Sequence, residues 1–213
     1  MAQIDLRHMD CMDLMRQYPD GYFDLAIVDP PYGIGFDGQK ESICKNPKHN
    51  RKEHKHKGWD NSIPEKCYFD ELFRVSKNQI IWGANYFVEH LNKGTKGWIF
   101  WYKGQEGLTM SDGEIAYSSF DKATRMVNLN RCMIAQKGGS IHPTQKPVEL
   151  YRWLLANYSN KGEKILDTHL GSGSIAIACH DMGNDLVACE IDEEYYNNAL
   201  KRINEHTKQA KLF

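Results

Sequence analysis

The stretch Lys164-Ile-Leu-Asp167-Thr-His-Leu-Gly171-Ser-Gly173-Ser-Ile-Ala176 reads as a strand ending in Asp167, a glycine turn and the first turn of a helix. Glycines allow the tight turn and let a ligand approach the backbone, and the small Ala176 lets the helix pack on the strand. The next apolar run, Asp185 to Glu190, ends in an acid that can accept both hydroxyls of a ribose. A plain strand-turn-helix needs no acid there, so the pair describes a site for a nucleoside-containing cofactor. On these residues alone it fits a dinucleotide or S-adenosylmethionine equally.

Outward from that turn the same alternation continues. Leu25–Val28, Gln79–Trp82, Trp98–Tyr102 and Glu114–Tyr117 are short apolar runs bounded by polar punctuation, as strands are. Helices are expected from Pro147 (Val148, Tyr151, Leu154, Leu155 and Tyr158 at helical spacing), over Ser174–Met182 and over Glu193–His206. Strand, helix, strand, helix is the signature of an α/β fold with a mostly parallel sheet flanked by helices. With 213 residues, 41% hydrophobic and 26% charged, the chain is expected to be one domain over 1–213, too short for two fused enzymes. Trp82, Trp98 and Trp101 lie at or within apolar runs and are expected in the core. The apolar runs are too short to span a bilayer, and Met1–Asp10 has no apolar leader core, so the chain is expected to stay where it is made. Six cysteines without a C-x-x-C pair read as reduced thiols.

Segments 33–62 and 103–113 are least like regular structure, and such excursions at strand ends tend to carry the site. Residues 40–57 hold seven Lys or Arg against Glu41 and Glu53, a net +5 in a chain whose formal charge is −1. With almost no apolar residue, this stretch reads either as a plain solvated basic loop or as one that is mobile until something anionic binds. A zinc site through Cys44, His49, His54, His56 and Cys67 lacks the paired ligands of common fingers, and no metal is assigned.

Asp29-Pro30-Pro31-Tyr32, which ends the first strand, narrows the chemistry. Two prolines hold the chain extended and remove two donors, leaving rigid carbonyl acceptors. The amine of a nucleobase is a poor nucleophile because its lone pair is shared with the ring. Hydrogen bonds from its N–H groups to the Asp29 carboxylate and the Pro30 carbonyl draw it towards tetrahedral geometry and stabilise the positive charge of methyl transfer. Tyr32 offers a flat face for a flipped base.

The chain resembles the amino-type DNA methyltransferases, which methylate adenine N6 or cytosine N4 with S-adenosylmethionine. Asp29 to Tyr32 matches the catalytic tetrapeptide and Asp167 to Gly173 the cofactor turn, in the permuted order usually called beta. Asp10, His142-Pro-Thr-Gln-Lys146-Pro147, Arg74 to Phe87 and Glu190-Ile191-Asp192 agree, so the likeness runs from about residue 4 to 206.

That resemblance implies a single-domain Rossmann-like S-adenosylmethionine-dependent methyltransferase fold, without a long separate target-recognition domain. It implies that Asp29, Pro30, Pro31 and Tyr32 are catalytic. Asp10 holds the cofactor adenine, Glu190 its ribose, and His142, Thr144 and Lys146 the methionine end, with Ile191 also among the cofactor-binding residues. Asp167, His169, Leu170, Gly171, Ser172 and Gly173 form the turn. Thr168 and His169 replace the usual proline and phenylalanine, and His169 is expected to be structural, since methyl transfer needs no acid or base there. His142 before Pro143 also fits a plain turn residue.

The resemblance makes 33–62 a basic insertion loop for DNA, with Lys45, Lys48, Arg51, Lys52, Lys55 and Lys57 on phosphates and Trp59 as a wedge or stacking ring. The expected partner is double-stranded DNA, not a membrane; a homodimer and a restriction endonuclease of the same system are both compatible. The expected place is the cytoplasm, on the nucleoid, in a bacterium or phage. An aspartate-led tetrapeptide is commoner in adenine enzymes, so N6 is expected. Cytosine N4, RNA or a protein amide as substrate, or a non-catalytic DNA-binding subunit, are the alternatives.

Overall fold

The computed structural model describes residues 2–38, 53–91, 93–107, 111–130 and 140–208. Their framework is an eight-stranded sheet: β1 (Ile4–His8), β2 (Phe23–Val28), β3 (Ser76–Trp82), β4 (Ile99–Tyr102), β5 (Gly113–Ser118), β6 (Arg125–Asn128), β7 (Lys164–Asp167) and β8 (Asp185–Glu190). They lie in the order β1-β8-β7-β2-β3-β5-β4-β6. All pairings are parallel except the two made by β5. The helices are α1 (Cys11–Met15), α2 (Lys66–Val75), α3 (Val148–Tyr158), α4 (Ser174–Met182) and α5 (Glu193–Lys208).

Successive residues of β2 point to opposite faces, and both faces are covered. Leu25 and Ile27 join the cluster formed with α3, α4 and α5, while Ala26 and Val28 join that of α1 and α2. This explains why the strand reads as a continuous apolar run rather than an alternating one. Pro147 stands at the N-cap of α3, one residue ahead of its first turn. Trp82 and Trp101 are fully buried, and Trp98 is half-buried against the second cluster. Among the described residues no helix is long and apolar enough to cross a membrane.

Two strands and two helices escape the sequence reading. In β1 (Ile-Asp-Leu-Arg-His) polar residues alternate with apolar ones, and β6 buries only Val127. In α2, Tyr68, Phe69, Leu72 and Val75 recur at helical spacing and are all buried, a signal present in the sequence.

The topology fixes where chemistry gathers. β2 and β3 proceed one way across the sheet and β7 and β8 the other, so the chain reverses between β2 and β7, where α/β folds bind ligands at the carboxyl ends of strands. Asp29, Asp167 and Glu190 lie at those ends of β2, β7 and β8. Being antiparallel, β5 brings its beginning, including Glu114, to the same edge.

Candidate active site

Two cavities open at this edge. The larger, about 670 Å³, is lined by Asp29 to Tyr32 together with Tyr86, Lys103 and Glu114. The smaller, about 420 Å³, is lined by Asp10, His142, Thr144, His169 to Ser172, Glu190, Ile191 and Tyr195. Asp29, Pro31, Trp59, Thr144, Gln145 and Lys146 border both, so the tetrapeptide forms a wall between them.

Within that wall the Asp29 carboxylate accepts from the Tyr32 hydroxyl (2.6 Å) and from Lys146 Nζ (2.5 Å). Lys146 is itself buried and reaches Glu114 at 2.9 Å, and Glu114 is held on its other oxygen by Lys103 at 2.5 Å. Burial pushes Asp29 above the usual carboxylate range, with Lys146 pulling against it and Glu114 adding to it. Burial also opposes ionisation of Glu114, but the two lysines overcome it and bring that carboxyl down to about 2. For Lys146, burial lowers the pKa, and the two carboxylates reverse this, leaving it raised. Tyr32 is driven well above its ordinary value by burial and then by Asp29, so it stays a phenol and donates.

The backbone around this network is built to hold it. Gly83, just after β3, has φ of +68°, and a Cβ there would sit 2.0 Å from the Tyr32 ring, so only glycine allows that ring to lie against it. Tyr32 stacks on Tyr86 (5.1 Å, 16°), which means the flat face assigned to a base is on one side already occupied. The buried Asp60 carboxylate accepts the backbone N–H groups of Tyr32, Gly33 and Phe36 at 2.7–2.8 Å. Asp37 does the same for Lys57, Gly58 and Trp59.

Of the stretch 40–57 expected to be mobile, residues 40–52 lie outside the described residues, and these two carboxylates concern the segments on either side of them. Those segments, 33–38 and 53–62, are tied to each other. The Lys57 ammonium, expected on phosphates, meets Asp192 (2.6 Å) and Glu194 (2.9 Å) and lies 4.1 Å from the Tyr195 ring centroid, against the smaller cavity. Trp59 lies between the cavities, tilted against His142 at 5.4 Å. Lys55 is exposed. Lys45, Lys48, Arg51 and Lys52, like Cys44 and His49, lie outside the described residues. Of the remaining zinc candidates, His56 faces Asp37 at 3.7 Å, and Cys67 is exposed on α2.

Along the smaller cavity, Glu190 accepts the N–H groups of Gly171 (2.9 Å) and Asp192 (3.0 Å), and burial raises its pKa. Asp10 uses one oxygen to cap α1, accepting from Met12 and Asp13. Ile191 is exposed at the rim. His142 is buried, its Nδ1 against Thr144 Oγ1 (3.0 Å) and its ring edge-on to Tyr195 (4.3 Å), and desolvation lowers its pKa to about 3. His169 is lowered to about 4 by burial. It ends a chain from the Tyr68 hydroxyl through Thr168 Oγ1 (2.7 Å) to His169 Nδ1 (2.9 Å), so the two departures from the family pattern satisfy each other with a tyrosine from α2.

Two residues assigned to the cofactor do not line this cavity. Asp167 is buried, pushed up to about 7 by desolvation, and accepts the His169 N–H at 3.0 Å. Gly173, at φ +70°, caps α4, and a Cβ there would press on Ile203 and Ala199 of α5 at 3.1 and 3.2 Å. Both shape the turn from behind. The sequence reading missed Glu114, Lys103, Asp60 and Asp37.

Residues 45–201 match the N6/N4 family described as DNA methylases. The chain belongs to that family. The matched span begins after the tetrapeptide and includes Glu114, Lys146 and the cofactor turn. Among relatives of this DNA methylase, the type II methyltransferase M.HpaI of Haemophilus parainfluenzae is 24% identical over 234 residues, covering 89% of this chain and 71% of that protein. Two solved structures share the fold. M1.HpyAVI in complex with SAM superposes with a TM-score of 0.62 at 18% identity, over 94% of this chain and 100% of that one. The cytosine-N4-specific PvuII DNA methyltransferase gives 0.63 at 9% identity, over 97% and 92%.

Proposed function

We propose that the protein methylates the N6 amine of an adenine extruded from double-stranded DNA, with S-adenosylmethionine as donor. The observation that carries this reading is the wall of Asp29, Pro31 and Lys146 between two cavities, which keeps a base on one side and a donor on the other.

The residues of the smaller cavity fit the donor. Gly171, with φ of +52°, lines this cavity with no side chain of its own, and a Cβ built there would meet the His142 ring at 3.7 Å. Glu190 is held by two amides with lone pairs left for ribose hydroxyls, and Asp10 and the exposed Ile191 flank the place of an adenine. His142 and Thr144 line the methionine end. When bound, S-adenosylmethionine supplies a methyl group on a sulfonium sulfur, an electrophile that needs no covalent enzyme intermediate.

The chain's own contribution is electrostatic. Asp29 and the Pro30 carbonyl accept from the amine N–H groups and stabilise charge growing on nitrogen. Lys146 favours the Asp29 anion and opposes the burial that raises its pKa. Tyr32 fixes the carboxylate by donating to its other oxygen. The preference for adenine rests on the aspartate that leads the tetrapeptide. Sequencing DNA from expressing cells by a method that reports methylated bases tests it: N6-methyladenine at one short sequence is expected. A cytosine N4 mark would overturn the choice of base, and no mark would overturn the activity.

A further inference from the structure

Directly after the tetrapeptide the chain runs Gly33-Ile34-Gly35-Phe36, and it holds two apolar side chains in solvent. Ile34 is 51% exposed and Phe36 39%. This is not slack in a loop. Asp60 accepts the N–H groups of Gly33 and Phe36, and its carbonyl accepts that of Gly35 at 3.0 Å. Gly33 and Gly35 both have left-handed φ, +67° and +68°. At Gly33 a Cβ would strike the backbone of Ile63 at 2.9 Å, whereas around Gly35 nothing lies within 4 Å, so the backbone angle itself calls for glycine there. A buried carboxylate and two special backbone positions thus fix apolar side chains outward at the mouth of the larger cavity. Exposed apolar groups held in this way mark a contact surface.

We propose that Ile34 and Phe36 form a prong that enters the duplex and fills the gap left by the extruded nucleotide, a role that rests on the DNA methylation reading above. Extrusion costs unpairing and unstacking, and apolar side chains that take the vacated place against neighbouring bases offset that cost. The prong follows Tyr32 immediately, so it stands beside the base that Asp29 receives. Trp59, expected from sequence as a wedge or stacking ring, borders both cavities.

The test uses the full chain and the variant Ile34→Ala/Phe36→Ala on two duplexes, each carrying the sequence that the protein methylates in cells. In one duplex the target adenine is paired; in the other it faces an abasic site and is already unpaired. Thermal unfolding and cofactor affinity should match the parent, because both side chains are exposed. The variant should lose about tenfold or more of kcat/KM on the paired duplex and recover most of that loss on the abasic one. Equal loss on both duplexes, or no loss on the paired one, would overturn the prong. If the parent methylates neither duplex, the DNA methylation reading itself fails.

Discussion

Replacing Lys146 by methionine keeps an unbranched apolar stem, one atom shorter, and removes the cation between Asp29 and Glu114. Glu114 retains Lys103 at 2.5 Å, so the loss falls mainly on Asp29, whose other neighbour is a neutral phenol. Removing one partner of a buried ion pair costs about 3–5 kcal/mol. Asp29 escapes most of that cost by taking a proton, and at about 1.4 kcal/mol per pKa unit its carboxyl moves roughly two to three units further up. A protonated Asp29 no longer offers an anion to the amine. We expect the acid limb of the kcat–pH profile to move up by about two units, activity on the acid side of the new limb to fall, and that loss to be recovered as the pH is raised. Adding Glu114→Gln removes the like charge beside Asp29 and should move the limb back down. Steady-state rates across pH, with calorimetry of S-adenosylmethionine and thermal unfolding as controls, provide the assay. A folded Lys146→Met enzyme with the parent's pH profile would show that Lys146 does not control the ionisation of Asp29.

Two further outcomes follow from the smaller cavity. His169 must remain neutral to stay buried: its pKa falls from 6.5 to about 4 on folding, so its stabilising contribution is complete above pH 6.5 and is lost as the pH falls towards 4. Between pH 7.5 and pH 5 this amounts to about 2 kcal/mol, and His169→Phe should flatten the decline in urea-unfolding stability by that amount; an unchanged slope would show that the ring titrates freely. Glu190→Ala removes a charge-assisted acceptor worth about 1.5–3 kcal/mol and should weaken S-adenosylmethionine about 10- to 150-fold by calorimetry, whereas unchanged affinity would remove Glu190 from the site.

What the sequence made legible is what chain neighbours determine. The glycine turn after Asp167, the acid ending β8 and the two prolines after Asp29 each carry their meaning within a few residues, and six of the eight strands announce themselves as apolar runs. The charge network is different. Glu114 reads as the polar start of a strand, and only the antiparallel placement of β5 beside β3 brings it to the edge where Lys146 arrives from the segment before α3. Asp60 and Asp37 look like acids in a basic excursion, yet each gathers backbone amides more than 15 residues away in sequence. Lys57 was counted with its basic neighbours because charge density says nothing about which lysine meets an acid of α5. The turn glycines divide for the same reason: Gly171 faces the cavity, and Gly173 faces a helix that arrives some 25 residues later.

On this reading Asp29 acts on the base side of the wall and not on the donor. Asp29→Ala, assayed for transfer of labelled methyl groups to DNA carrying the methylated sequence and for S-adenosylmethionine binding by calorimetry, tests it most directly. Transfer should be abolished while donor affinity stays near that of the parent. Transfer that persists, or donor binding lost together with transfer in a folded variant, would contradict it.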